Sequence, residues 1–195
     1  MKAFRGAGVG VDYIWLLAGQ GRLYIGGDAA AGDLVTAVTT FATTTPTFQI
    51  DVPADTTCIP LFVNLSQSGT VAGGAIDIII EIDNADRYNT GGTAETIYQG
   101  RTAVNTTASC TLRSNPTGNA GYGMRVFAAT IGPDVSPAEG AVQGPFWQAE
   151  VPYFIEGPGA FNVFTYAAVT APTWLWSIGW AEVPTKSIPY FGTGV

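Results

Sequence analysis

Thr173-Trp174-Leu175-Trp176-Ser177-Ile178-Gly179-Trp180 places three tryptophans and an isoleucine at every second position. Successive side chains of an extended strand point to opposite faces, so Trp174, Trp176, Ile178 and Trp180 line one side. Leu175, Ser177 and Gly179 line the other. A face this aromatic has to be covered by a β-sandwich core, a neighbouring subunit or a ligand.

The same extended pattern recurs outward from this stretch. Short β-branched and aromatic runs are separated by Gly, Pro, Asn and Asp clusters, and no segment carries a helical period. Strands are predicted at Val11 to Leu17, Arg22 to Ile25, Leu34 to Ala42, Thr47 to Val52, Cys58 to Ser66 and Ala75 to Ile82. Six more follow at Glu95 to Gln99, Ser109 to Leu112, Met124 to Ala129, Phe146 to Ile155, Ala160 to Val169 and Trp174 to Val183. Gly73-Gly74 and Gly91-Gly92 suit tight connections that need positive φ. Asp83-Asn84-Ala85-Asp86 reads as a side-chain-capped turn, and Gly132 to Pro145 as one long surface loop. Trp147-Gln148-Ala149-Glu150-Val151-Pro152 is echoed by Trp180-Ala181-Glu182-Val183-Pro184, which suggests two strands leaving the sheet alike. Twelve short strands without helices are best packed as an all-β, two-sheet antiparallel sandwich of jelly-roll type. An immunoglobulin-like sandwich or a closed barrel stands behind that choice. Residues 1–195 are expected to form a single domain, with an N-terminal arm over about 1–10 and a C-terminal tail over about 186–195.

Composition narrows the partners. Apolar residues make up 47% of the chain and charged residues only 12%, about half the usual share. So little charge leaves much uncharged surface, which favours lasting contact with other subunits. The alternative is a water-exposed surface rich in Thr, Gly and Asn. No run approaches the roughly 20 apolar residues of a membrane-crossing helix, so no membrane partner is expected. The formal net charge of −7, with scattered Lys and Arg, argues against direct nucleic-acid contact. Cys58 and Cys110 are the only cysteines and there is no histidine, so a zinc site is not expected. The two cysteines read equally as one disulfide or as two small buried thiols. Asn64-Leu65-Ser66 and Asn105-Thr106-Thr107 match the glycosylation triplet, without a leader sequence to give it meaning.

The stretch Asp51-Val52-Pro53-Ala54-Asp55-Thr56-Thr57-Cys58-Ile59-Pro60-Leu61 ends a strand in Val-Pro and re-enters one through Thr-Thr. With the closing Trp-Ser-Ile-Gly-Trp-Ala-Glu-Val-Pro strand, it resembles single jelly-roll capsid-associated proteins of tailed or icosahedral viruses. The resemblance covers about two-thirds of the chain and transfers no residue roles. It implies a virion component on the capsid surface, made in the host cytoplasm and commonly trimeric, whose partners are copies of itself and other capsid proteins.

Residues able to carry chemistry are few. Asp77, Glu81 and Asp83 share one face of a strand, and Asp86 follows. Such an oxygen-rich set can hold Ca²⁺, although its spacing is not that of an EF-hand; the plainer reading is a solvated polar face. Glu150 and Glu182 sit in the two echoed words and would make a glycosidase carboxylate pair if they faced one another; strand-end exposure is the alternative. There is no G-x-S-x-G elbow, no histidine base and no S-x-x-K, and Gly6 to Gly10 lacks the lysine of a phosphate loop. The chain is therefore expected not to be an enzyme and to use no cofactor. The aromatic set remains, with Trp147, Tyr153, Trp174, Trp176 and Trp180 as candidates for a subunit interface or for stacking on sugars, and core packing as the ordinary alternative. Two functions are carried forward. The first is a jelly-roll subunit that coats, cements or decorates a viral capsid. The second is a carbohydrate- or receptor-binding β-sandwich.

Overall fold

The computed structural model describes residues 4–6, 9–11, 13–27, 34–68, 72–101, 107–132 and 143–187. In chain order they form β1 (Phe4–Gly6), β2 (Val9–Val11), helix α1 (Tyr13–Gly19), β3 (Leu23–Gly27), β4 (Val35–Thr36), β5 (Phe48–Val52), β6 (Thr56–Gln67) and β7 (Ile76–Asp83). After these come β8 (Tyr88–Thr90), β9 (Thr93–Ala94), β10 (Ile97–Gln99), β11 (Thr111–Ser114) and β12 (Thr117–Gly118). The chain continues with β13 (Met124–Ile131), β14 (Gln143–Gln148), β15 (Ile155–Glu156), β16 (Gly159–Ala167) and β17 (Thr173–Pro184).

Eight strands carry the architecture. One sheet runs β3–β17–β6–β14 and the other β5–β16–β7–β13, with every pair antiparallel. Counted one to eight along the chain, these sheets read 1-8-3-6 and 2-7-4-5. That is the strand order of a jelly roll, built from two Greek keys. The chain between β7 and β13 is an insertion that runs back across the molecule. It adds β10 beside β3 in the first sheet and β11 with β9 beside β5 in the second.

The core lies between the sheets and follows the alternation of β17. Trp174, Ile178 and Trp180 are wholly buried and Trp176 nearly so. Phe48 of the facing sheet meets Trp176 at a ring separation of 4.6 Å, and Tyr24 of the neighbouring strand stacks on Trp180 at 6.1 Å. Trp174 Nε1 donates to Thr165 Oγ1 at 2.9 Å, and that hydroxyl lies 2.8 Å from Thr47 Oγ1. One indole thus bonds across the sandwich, which satisfies its only polar atom inside an apolar interior.

Several elements differ from the sequence expectation. The strand expected over Val11 to Leu17 is β2 followed by the short helix α1. Leu17 is pinned against Ile59, Ala181 and Val183 on the outer side of the first sheet. The helix is closed by Gly21 at φ 70°, with Gly21 N bonded to Ala18 O and Arg22 N to Leu17 O, a Schellman ending. The strand expected over Leu34 to Ala42 shrinks to β4. Its remainder crosses the outer face of the second sheet, where Phe41 packs on Phe164 and Tyr166. The strand expected over Phe146 to Ile155 leaves the sheet after Gln148 and returns only as β15, consistent with Pro152 lacking a ladder N–H. Gly91 and Gly92 do adopt positive φ. Gly73 does not, but a Cβ there would come within 2.5 Å of Thr170 N, so close backbone approach is what demands glycine. Within the expected N-terminal arm, β1 and β2 pair as a small hairpin. Residues 133–142 of the expected loop and 188–195 of the expected tail lie outside the described residues.

Trp174→Ala should lower the unfolding free energy by about 3–5 kcal/mol, and Trp174→Phe, which keeps most of the ring but drops the N–H, by about 1–2 kcal/mol. Urea unfolding followed by far-ultraviolet circular dichroism measures both.

Candidate functional site

The outer faces of the two sheets are built differently. On the second sheet the cross-strand register aligns Arg113, Gln49, Asn162, Glu81 and Arg125 in one row, away from the core. A two-layer sandwich would leave that row in water, yet Gln49, Asn162 and Glu81 are buried. The 37–46 segment and the insertion cover them. Gly118 N bonds to Thr44 O at 2.8 Å, and the Tyr88 ring sits 4.2 Å from the Arg113 guanidinium. On the first sheet the outward residues are Leu23, Ile25 and Gly27 on β3, and Leu175, Ser177, Gly179, Ala181 and Val183 on β17. Those of β6 are Ile59, Phe62, Asn64 and Ser66. None of these is charged. The far ends of β17 and β6 pack under α1, while Ile25, Leu175 and, on the adjoining β10, Tyr98 stay exposed.

The other edge of the sandwich carries the second apolar surface. Exposed Tyr122, Met124 and Phe154 border a cleft of about 440 Å³ with Ile82, Asn84 and Glu156. Beside it, a groove of about 640 Å³ runs between β13 and the 147–153 segment, where Phe127, Gln148, Glu150 and Val151 meet Tyr153. Tyr153 is half-buried and stacks on Trp147 at 6.5 Å.

The aromatic candidates divide accordingly. Trp174, Trp176 and Trp180 present no ring at the surface of this chain, because the alternation that made them conspicuous aims them at the opposite sheet. Trp147 is likewise core, packed on Phe161 at 5.7 Å. Of the five, only Tyr153 is placed where a partner or a sugar can reach it.

The carboxylate pair does not form. Glu150 is exposed at the groove, whereas Glu182 is buried inside the sandwich. Counting on by twos from Trp174 puts Glu182 on the tryptophan face, so its burial was readable from the alternation that strand-end proline obscured. Its Oε1 accepts from Trp180 Nε1 at 2.9 Å and Cys110 N at 3.1 Å, and its Oε2 from Ser109 N at 2.7 Å. A carboxylate holding three donors, one from β17 and two from the end of the insertion, acts as a structural brace.

The acidic set on β7 is neither a solvated face nor a convergent one. Asp83 bonds Arg87 Nε at 2.6 Å and Ala85 N at 3.0 Å, Glu81 lies 3.5 Å from Arg125, and Asp77 accepts from Thr130 Oγ1 at 2.5 Å. Asp86 is exposed and accepts from Tyr88 N. Each carboxylate has its own donor: the neighbouring strand β13 brings Thr130 opposite Asp77 and Arg125 opposite Glu81, and the insertion brings Arg87 to Asp83. Among the described residues no three Asp, Glu, Cys or His side chains come together as a metal site.

Asp51, which the sequence did not single out, is the most perturbed carboxyl of the covered face. Burial foremost pushes it from 3.8 up to about 6; Arg113, 3.4 Å away, pulls it down, and Asp86 pushes it up. Its partial burial depends on the cover, which no local pattern around Asp51 announces.

In comparisons with protein-family models, with curated proteins and with solved structures, nothing matches this chain.

Glu182→Ala should cost roughly 3–5 kcal/mol, since it strands the buried Trp180 and Cys110 donors and frees the Ser109 amide. Loss of hydrogen-exchange protection confined first to the Ser109 and Cys110 amides would report it. Asp51 gives a pH test. Its folded value lies above the unfolded one, so its contribution is complete below about pH 4 and is lost as pH rises through about 6. Relative to wild type, Asp51→Asn should flatten the fall in urea midpoint across that window.

Proposed function

We propose that this protein is a structural subunit of a virus particle, a jelly-roll block that coats, cements or decorates a capsid by lasting contact with neighbouring subunits. The observation that carries this reading is the uncharged outer face of β3, β17 and β6. Soluble surfaces intersperse both signs of charge, and a contiguous apolar patch left open to water favours association. Ile25, Leu175 and Tyr98 on that face, and Met124, Tyr122 and Phe154 at the opposite edge, give one chain two apolar surfaces pointing in different directions. Two unlike surfaces on one subunit suit a head-to-tail contact, which closes into a ring when the rotation allows. A trimer carried on the capsid surface, made in the host cytoplasm, is the simplest such assembly. The acidic chain fits a place away from the genome. The role is non-enzymatic and needs no cofactor.

The groove beside Tyr153 favours a second reading, a carbohydrate- or receptor-binding sandwich. There an aromatic ring lies next to Gln148 and Glu150, which can hydrogen-bond hydroxyls.

Light scattering on a sizing column decides between them. A closed oligomer that Ile25→Lys and Leu175→Lys convert to folded monomers is the expected result. A wild-type monomer at every concentration, with tryptophan fluorescence that shifts on adding glycans, would move the assignment to the second reading.

A further inference from the structure

The two cysteines lie far apart in sequence and together in space. Cys58 on β6 is the cross-strand partner of Glu182 on β17, and both face the interior. The Glu182 carboxylate in turn accepts the Cys110 N–H at 3.1 Å, which brings Cys110, just ahead of β11, to the same spot. Both cysteines are free and buried, and both belong to the same core cluster. Cys58 belongs to the first sheet, whereas Cys110 closes the insertion against the second.

We propose that Cys58 and Cys110 are a site of oxidative modification, where a disulfide locks the insertion and the second sheet onto β6. The bond would close a loop from residue 58 to residue 110 that contains β7 to β10, so it would join parts of the fold that local structure does not hold together. The oxidant is a small disulfide such as oxidised glutathione. A Cys110 thiolate attacks it, one glutathione thiol leaves, and a mixed disulfide remains. The Cys58 thiolate then attacks the Cys110 sulfur and releases the second glutathione. Two thiol protons and two electrons pass to the two glutathione thiols, so the balance closes.

The approach is visible. Thr107 and Ser109, the latter one residue before Cys110, are exposed and line a cleft of about 260 Å³ that reaches Glu182. The neighbourhood also sets the rate. The Cys58 thiol first, then burial and the negative charge of Glu182, push the Cys110 thiol well above its ordinary range. A protonated, enclosed thiol is a poor nucleophile, so the pair stays reduced until the 107–110 segment opens.

The test treats the full-length protein with oxidised glutathione and follows intact mass, free thiols and thermal unfolding. The expected result is loss of two hydrogens, disappearance of both alkylatable thiols on denaturation, and a melting temperature higher by roughly 10 °C. Low concentrations of urea should speed the reaction. Cys58→Ser should instead stop at a stable Cys110–glutathione adduct, and this readout does not depend on any change in stability. Two glutathione adducts per chain without the loss of two hydrogens would overturn the proposal. So would thiols that react only after global unfolding, or a bond that forms between chains. The assignment stands apart from the capsid reading and survives if that reading fails.

Discussion

Pairing of β17 with β6 is the constraint on which the other contacts depend. The last long strand inserts between β3 and β6, and its inner side chains run Trp174, Trp176, Ile178, Trp180 and Glu182. The first four supply the bulk that separates the sheets, and burying such rings is the largest favourable contribution a small sandwich has available. The fifth ends the row with a charge, tolerated because three donors converge on it. Displacing β17 by one residue would turn every tryptophan outward, so its register sets that of the whole first sheet.

Polarity on the two outer faces is distributed in the reverse of the usual order. The second sheet carries its charges on the outside and then covers them, with the 37–46 segment and the insertion supplying Arg87 and Tyr88 as partners. The outward residues of β3, β17 and β6 in the first sheet carry no charge, and part of that face is open. Burial of Gln49, Asn162 and Glu81 under a cover sets this face apart from the outside of the first sheet. Among the described residues, nothing covers Ile25, Leu175 and Tyr98 on the other face in the same way.

Residues linked to Glu182 tie three parts of the chain together. The carboxylate belongs to the last strand, the amides it holds belong to the end of the insertion, and Cys58 across the ladder belongs to β6. A long insertion with only short strands of its own would otherwise be attached mainly through its edge pairings. This brace explains how an excursion of about forty residues between β7 and β13 keeps the jelly roll beneath it undisturbed.

The two-residue period alone determined that the chain is rich in strands and that Trp174, Trp176, Ile178 and Trp180 share one face. These follow from geometry within one strand, where spacing fixes the face. That this face meets the opposite sheet was decided by the tertiary structure. The jelly-roll order itself was a prior from strand number and was decided by pairing between strands distant in sequence. So were the helical turn at Tyr13–Gly19, set by Leu17 packing on Ala181, and the break after Gln148. The fate of each charged group lay still further from the sequence. Glu150 and Glu182 occupy echoed words, yet one is exposed and the other buried. Asp77, Glu81 and Asp83 sit on one strand and bond to three different donors. Which groups surround a carboxylate depends on what pairs beside it and what folds over it, and only the tertiary structure brings Arg125, Arg87 and the Ser109–Cys110 amides to those positions.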